Sequence, residues 1–205
     1  MYDLGPELHG ESVEPGTNIL ISGPPLSGKR RLAMEALAYG ANNGEGAVII
    51  TTRDSSDRVL TDFKSLLEDP ESTHLGVVDA VTKHQGQSAS DNELVRYTSS
   101  PLDMTGIGIK FSEFVDEFYT DRSLQQNRVV LDSLSTLLVY SELQTVFRFM
   151  HVLTSRIEDA DAIGLHIIES EAHNQKSLNT LKQLFDGIIE VDADKSVSLR
   201  LPGTA

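Results

Sequence analysis

Ile19-Leu20-Ile21-Ser22-Gly23-Pro24-Pro25-Leu26-Ser27-Gly28-Lys29-Arg30-Arg31 decides how this chain is read. A short apolar run leads in. A loop bounded by two glycines follows, with lysine directly after the second. Leu32, Ala33, Ala36 and Leu37 then fall at helical spacing. Strand, glycine loop, lysine and helix in that order form a phosphate-binding P-loop. In such a loop the backbone N–H groups converge on one hollow, and the helix dipole adds partial positive charge there. Gly23 and Gly28 permit the turns and the close approach of phosphate. Lys29 supplies a point charge for the outer phosphates. The nucleotide-binding candidates are therefore Gly23, Pro24, Pro25, Leu26, Ser27, Gly28, Lys29, Arg30 and Arg31. Arg30 departs from the pattern, because the residue after the lysine is normally Ser or Thr, whose hydroxyl binds Mg²⁺. The competing reading is an ordinary strand-to-helix turn with an exposed lysine.

The rest of the chain repeats the alternation. Before the first strand at Asn18–Ser22, residues 1–16 are polar, carry Pro6, Pro15 and Gly16, and read as an arm. Residues 17–205 read as one domain with no internal repeat. The P-loop helix runs to about Ala41, where Asn42-Asn43-Gly44 ends it. Ala47–Thr52 is a β-branched run, Leu75–Asp79 a third strand, Val129–Asp132 a fourth and Gly164–Ile168 a fifth. Ser55-Ser56-Asp57 is placed to cap a helix bearing Val59, Leu60, Phe63, Leu66 and Leu67. Ile107, Ile109, Phe111, Phe114, Val115 and Phe118 mark another helix, and Val146, Met150, Leu153 and Ile157 stripe a long one from about Glu142 to Asp159. Leu178, Leu181, Leu184 and Phe185 stripe a short one. His84 to Pro101 is polar and aperiodic, and reads as a mobile loop. Gly187–Val191 and Ser196–Leu201 close the chain as a hairpin.

Continuous apolar strands alternating with amphipathic helices predict an α/β fold with a mainly parallel sheet covered on both faces. Ligands of such sheets bind at the carboxyl ends of the strands. The P-loop, Thr52–Asp54, Asp132 and Glu169 all fall there. Val129-Val130-Leu131-Asp132 has the form of a strand whose terminal aspartate holds Mg²⁺ through water; the alternative is a strand-end Asp that caps the next turn. Asp54 either orients a water or caps the helix after it. His166 reads as a packed core histidine. Glu169, Glu171 and His173 match metal-ligand spacing only loosely.

Composition narrows the function. The 205 residues carry 17 Lys and Arg (7 and 10) against 31 Asp and Glu, for a net charge of −14. That balance disfavours nucleic acid or an anionic membrane surface as partner. Many acids with few lysines is also the habit of proteins from salt-loving organisms, whose carboxylates stay hydrated in molar salt, where screening acts within about 3 Å. The absence of cysteine excludes disulfides, thiolate zinc and cysteine nucleophiles. No apolar stretch approaches the ~20 residues of a membrane span, and no signal pattern opens the chain, so a cytoplasmic location is expected.

With these motifs in place, the sequence resembles the RecA/KaiC-like P-loop ATPases, above all the small single-domain KaiC-like proteins of haloarchaea assigned to regulation or signal transduction. Ile21–Lys29, Val48–Thr51, Val77–Asp79 and Val129–Ser135 carry the resemblance. It implies a three-layer α/β/α RecA-like core, with the Gly164–Ile168 strand between those ending at Ser22 and Asp132. It also implies ATP or ADP at the P-loop, a protein partner in regulation and assembly into homo-oligomeric rings. Three positions depart from the family. Arg30 replaces the metal-binding hydroxyl. Arg53 and Asp54 stand where the family often has paired catalytic glutamates, which leaves Asp54 as the catalytic candidate. Arg200-Leu201-Pro202-Gly203 stands where the family often has Lys-x-Arg-Gly. Losing a general base costs about 10²–10⁴ in rate, and losing an arginine finger about 10³–10⁵. Phosphate binding by loop amides and Lys29 is spared. The expectation is a domain that binds ATP or ADP and hydrolyses it weakly or not at all. The alternatives are a nucleotide-free interaction scaffold and, disfavoured by the acidic balance, a DNA-dependent motor.

Overall fold

The computed structural model describes residues 1–202. In chain order the elements are β1 (Tyr2–Asp3), a 3₁₀ turn (Pro6–Leu8), β2 (Ser12–Val13), β3 (Asn18–Gly23), α1 (Lys29–Asn42), β4 (Gly46–Thr51), α2 (Ser56–Lys64), β5 (Leu75–Asp79) and β6 (Val95–Tyr97). There follow α3 (Met104–Thr120), β7 (Asn127–Asp132), α4 (Leu134–Tyr140), α5 (Leu143–Asp159), β8 (Ile163–Glu169), α6 (Gln175–Lys182), β9 (Gly187–Val191) and β10 (Val197–Arg200).

One eight-stranded sheet organises the molecule, in the order β10-β9-β3-β8-β7-β4-β5-β6. Its pairings are parallel except β9 with β10, the expected closing hairpin. β8 lies between β3 and β7, where the resemblance places it. Every residue of β3, β4, β5 and β7 is buried. Helices cover both faces, so no strand residue needs to be polar, and the runs read as continuous rather than alternating. Each fully buried aliphatic side chain contributes roughly 1.5–3 kcal/mol over exposure, which fixes the strand ends from which the site loops spring. The core on one face joins α1, α2 and the N-terminal residues. On the other it joins α3, α4, α5 and part of α6.

Three local expectations are corrected, and one helix is added to them. Residues 1–16 are not a free arm: β1 and β2 pair antiparallel, and Tyr2, Leu4, Leu8 and Val13 are buried in the α1-side core. Arg128 of β7 holds this flap. Its guanidinium donates to both Glu45 oxygens at 2.6 and 2.7 Å, to Ala36 O at 2.9 Å and to Asp3 O at 2.7 Å. The stretch from His84 to Pro101 is not one loop. Val95–Tyr97 adds an edge strand to β5, because Asn92 and Asp91 side chains accept the amides of Leu94, Val95 and Tyr97. Ser55-Ser56-Asp57 does not cap α2 with its own side chains. Asp79, at the end of β5, accepts Ser56 N at 2.7 Å instead. Residues 134–140, which sequence periodicity leaves unassigned, form α4. Gly203 and the last two residues of the expected 17–205 domain lie outside the described residues. Among the described residues no helix is long and apolar enough to cross a membrane.

Candidate functional site

β3 ends at Gly23, and its neighbour β9 closes in behind it. A β-carbon on Gly23 would collide with Val191 O and Ser27 Oγ, so this position has no room for a side chain. Pro24 and Pro25 turn the chain. Leu26 stands at the loop tip with φ +64° and is 96% exposed. Gly28, at φ +94°, reverses the backbone into α1, a conformation that glycine adopts without steric cost. No side chain caps α1 and no acid lies in its first turn. The first-turn amides and the dipole are therefore free of internal carboxylate compensation at the helix start. The Ser27 hydroxyl is buried and makes no hydrogen bond.

Lys29 is 4% exposed. Its Nζ donates to Pro24 O at 2.8 Å and to Glu169 Oε2 at 2.7 Å. Glu169 is the last residue of β8, adjacent to β3. The sequence places Glu169 at the strand ends but gives no sign of this pairing, because the two residues are 140 apart.

Arg30 points the other way, toward β7 and α2. Its Nε donates to Asp132 Oδ2 at 2.5 Å. Nη2 lies 3.4 Å from Asp54 Oδ2 and Nη1 3.5 Å from Asp62 Oδ2. Burial works against the charged guanidinium, but the three carboxylates outweigh it and hold Arg30 protonated above its already high value. Asp54 also pairs with Arg58 at 3.6 Å. Asp54, Arg58 and Asp62 follow at i, i+4 and i+8, and the two acids of this series both reach Arg30. That spacing was available in the sequence and would have exposed Asp62.

The predicted residues thus converge in part. Lys29, Arg30, Asp54 and Asp132 meet at the carboxyl ends of the strands. Arg31 runs along the helix surface to Glu35 at 2.7 Å. It lines a cleft of about 650 Å³ together with Leu26, Lys29, Arg30, Arg53 and Glu169. Asp79, the other strand-end carboxylate, is spent on structure. Burial raises its pKa, but hydrogen bonds from Thr82, Ser56 and Val81 together bring it below the usual carboxylate range. His166 is the expected core histidine: fully buried, with Nε2 at 3.0 Å from Asn18 Oδ1 and its pKa pushed down to about 3 by burial. His173 Nε2 lies 2.8 Å from Ser135 Oγ rather than beside Glu169 in a ligand set.

These residues do not fit Mg²⁺. The hydroxyl position is a guanidinium, and the aspartate meant for the ion is bonded to that guanidinium.

A mainly parallel sheet with a glycine-bounded loop after β3, helices on both faces and a closing hairpin is a KaiC/RecA-like fold. Solved structures share this fold, two of them from one archaeon. One is the KaiC-like protein PH0186 from Pyrococcus horikoshii OT3, with a TM-score of 0.62 at 15% identity over 93% of this chain and 78% of that one. The other is an uncharacterized protein, PH0321, from Pyrococcus horikoshii, solved with an unknown peptide, with a TM-score of 0.71 at 13% identity over 94% and 86%. No curated protein matches the chain. Residues 16–191 match DUF7504, a family of unknown function, and the chain belongs to that family.

Proposed function

We propose that this chain binds ATP or ADP at the P-loop as a regulatory ligand, without Mg²⁺ and with little or no hydrolysis. The observation that carries the reading is the Arg30–Asp132 bond, which puts a fixed cation where a metal-dependent site needs an exchangeable one. Arg30 then supplies positive charge beside the phosphates in place of the ion. Lys29, Arg30, Arg31 and Arg53 gather at one cleft of a protein whose net charge is −14. Uncapped α1 amides and the unpaired Ser27 hydroxyl add donors that a phosphate would satisfy. Asp54, held by Arg30 and Arg58, is poorly placed to activate water. The acidic surface favours a protein over nucleic acid as regulatory partner, in line with the peptide in the PH0321 structure, and the KaiC-like fold is compatible with a homo-oligomer. The test is a pair of ATP and ADP binding isotherms in high salt, with Mg²⁺ and with EDTA, beside a phosphate-release assay. Equal affinity in both buffers and no release support the reading. A strict metal requirement or fast turnover overturns it.

The Lys29–Glu169 pair favours a second reading, a nucleotide-free scaffold whose ammonium is permanently satisfied from within. Thermal shift with ATP separates the two. A rise in melting temperature in the wild type, absent in Lys29→Ala, supports binding.

A further inference from the structure

We propose that Glu169 is an internal anion that occupies Lys29 when the P-loop is empty, and that an incoming phosphate displaces it and so moves residues 169–174. The inference rests on the nucleotide-binding reading and names how that site is regulated. Lys29 Nζ has three protons to donate. One goes to Pro24 O and one to the Glu169 carboxylate. An ammonium that already holds a carboxylate at 2.7 Å cannot grip a phosphate oxygen equally well until that carboxylate leaves. Lys29 is almost fully buried and the Glu169 side chain is 24% exposed, so Glu169 is the partner that has somewhere to go.

Glu169 is also wired to what surrounds it. Its amide donates to Ser135 Oγ at 2.9 Å, and His173 Nε2 meets the same hydroxyl at 2.8 Å. Ser135 lies in the first turn of α4, directly after the strand that ends at Asp132. Ser170 N donates to Gly23 O at 2.9 Å, at the root of the P-loop. Asn174 then caps α6, whose Leu178 and Leu181 pack in the core beside α5. The segment 169–174 therefore runs from the phosphate hollow to a surface helix through one shared serine hydroxyl. A carboxylate that swings off Lys29 couples to Ser135 through the Glu169 backbone, whose amide holds one of that hydroxyl's two bonds, the other being held by His173. Occupancy of the hollow is read out at α6, which packs on the opposite face of the sheet from α1.

The energetic consequence is an affinity reduced by the fraction of molecules whose lysine is free. If the pair is closed in about nine molecules of ten, opening it by mutation tightens binding about tenfold. Glu169→Gln keeps the shape and an acceptor for Lys29 but removes the charge. Glu171→Gln removes a charge of the same sign two residues away, on an exposed side chain, and controls for the general field. ATP and inorganic pyrophosphate isotherms are compared for wild type, Glu169→Gln and Glu171→Gln. Amide hydrogen exchange is followed in the wild type with and without ATP. The expected result is Glu169→Gln binding about tenfold tighter, Glu171→Gln unchanged, and faster exchange at 169–174 when ATP is bound. Equal affinity of wild type and Glu169→Gln, or an equal gain from Glu171→Gln, overturns the gate while leaving nucleotide binding intact. Unchanged or slower exchange at 169–174 overturns the displacement. Absence of binding in every variant overturns the underlying reading instead.

Discussion

Arg30 Nε donates to Asp132 Oδ2 at 2.5 Å, joining the first turn of the P-loop helix to the buried end of β7. The two residues are 102 apart in the chain; under the proposed function their bond takes the place of the hydroxyl–metal–carboxylate bridge of a metal-dependent P-loop. Asp54 and Asp62 complete the shell around the same guanidinium. One residue identity thus decides whether the strand end presents a negative or a neutralised face to a ligand.

Arg30→Ser restores the hydroxyl and frees Asp132. Without metal the variant leaves a 1%-exposed carboxylate unpaired. Removing one partner of a buried pair costs about 3–5 kcal/mol, and the part-exposed Arg30 puts this case near the lower figure. The melting temperature in EDTA should fall accordingly and recover on addition of Mg²⁺, and nucleotide affinity should become Mg²⁺-dependent. Differential scanning fluorimetry in both buffers measures this. A variant as stable as wild type in EDTA, with no response to Mg²⁺, contradicts the role given to Arg30.

Arg128→Met tests the fully buried guanidinium of β7. It leaves Glu45 with both oxygens stripped of their donors and releases Asp3 O and Ala36 O. A loss of about 3–5 kcal/mol is expected. Most of it should return in Arg128→Met combined with Glu45→Gln, since the stranded charge is then gone. Denaturant titrations of the two variants decide the matter. Limited proteolysis should also cut the β1–β2 flap sooner in Arg128→Met, because that guanidinium pins Asp3.

Gly40→Ala reverses an ordinary rule. In an exposed helix the change from glycine to alanine gains roughly 0.5–1 kcal/mol. Gly40 lies in α1 against the Arg128 guanidinium, which a β-carbon would strike. Overpacking of this kind costs about 1–3 kcal/mol. The urea midpoint should therefore drop, and a raised midpoint would show that Arg128 does not press on this turn.

The fold was legible because its strands are buried on both faces. Val48–Thr51, Val77–Asp79 and Val129–Asp132 announce themselves as apolar runs, and the glycine loop before Lys29 orders them. What the sequence concealed is held by side chains reaching across it. β6 is a three-residue strand with Arg96 at its centre, and this arginine packs 4.0 Å over the Phe114 ring, a contact that no periodicity encodes. The flap of residues 1–16 looks polar because Tyr2, Leu4, Leu8 and Val13 are spaced by turn residues. In the site, Lys29, Arg30, Asp54 and Asp132 stood out as motif positions and Glu169 as a strand-end acid, but which of them pair did not. Asp62 is an ordinary acid until the sheet brings it to Arg30, and only the 54–58–62 spacing hinted at it.

His166 gives the molecule a pH dependence whose sign is fixed by burial. Burial pushes its pKa from 6.5 down to about 3, so the imidazole stays neutral in the folded state while it takes up a proton in the unfolded chain below about 6.5. The unfolded state then binds more protons. Stability is fully present above pH 6.5 and is lost as pH falls toward 3, at about 1.4 kcal/mol per pH unit once well below the unfolded value. His173, lowered by burial against the opposing charge of Glu169, acts in the same direction. The difference between wild type and His166→Gln cancels that shared contribution and the carboxylates. Between pH 7 and 5 the wild type should lose stability faster than the variant, with the gap between them closing by about 1–2 kcal/mol. Chemical denaturation at half-unit steps in that window measures it. Parallel curves for the two proteins would mean that a proton reaches His166 in the folded state, against its complete burial beside Asn18 and Phe185.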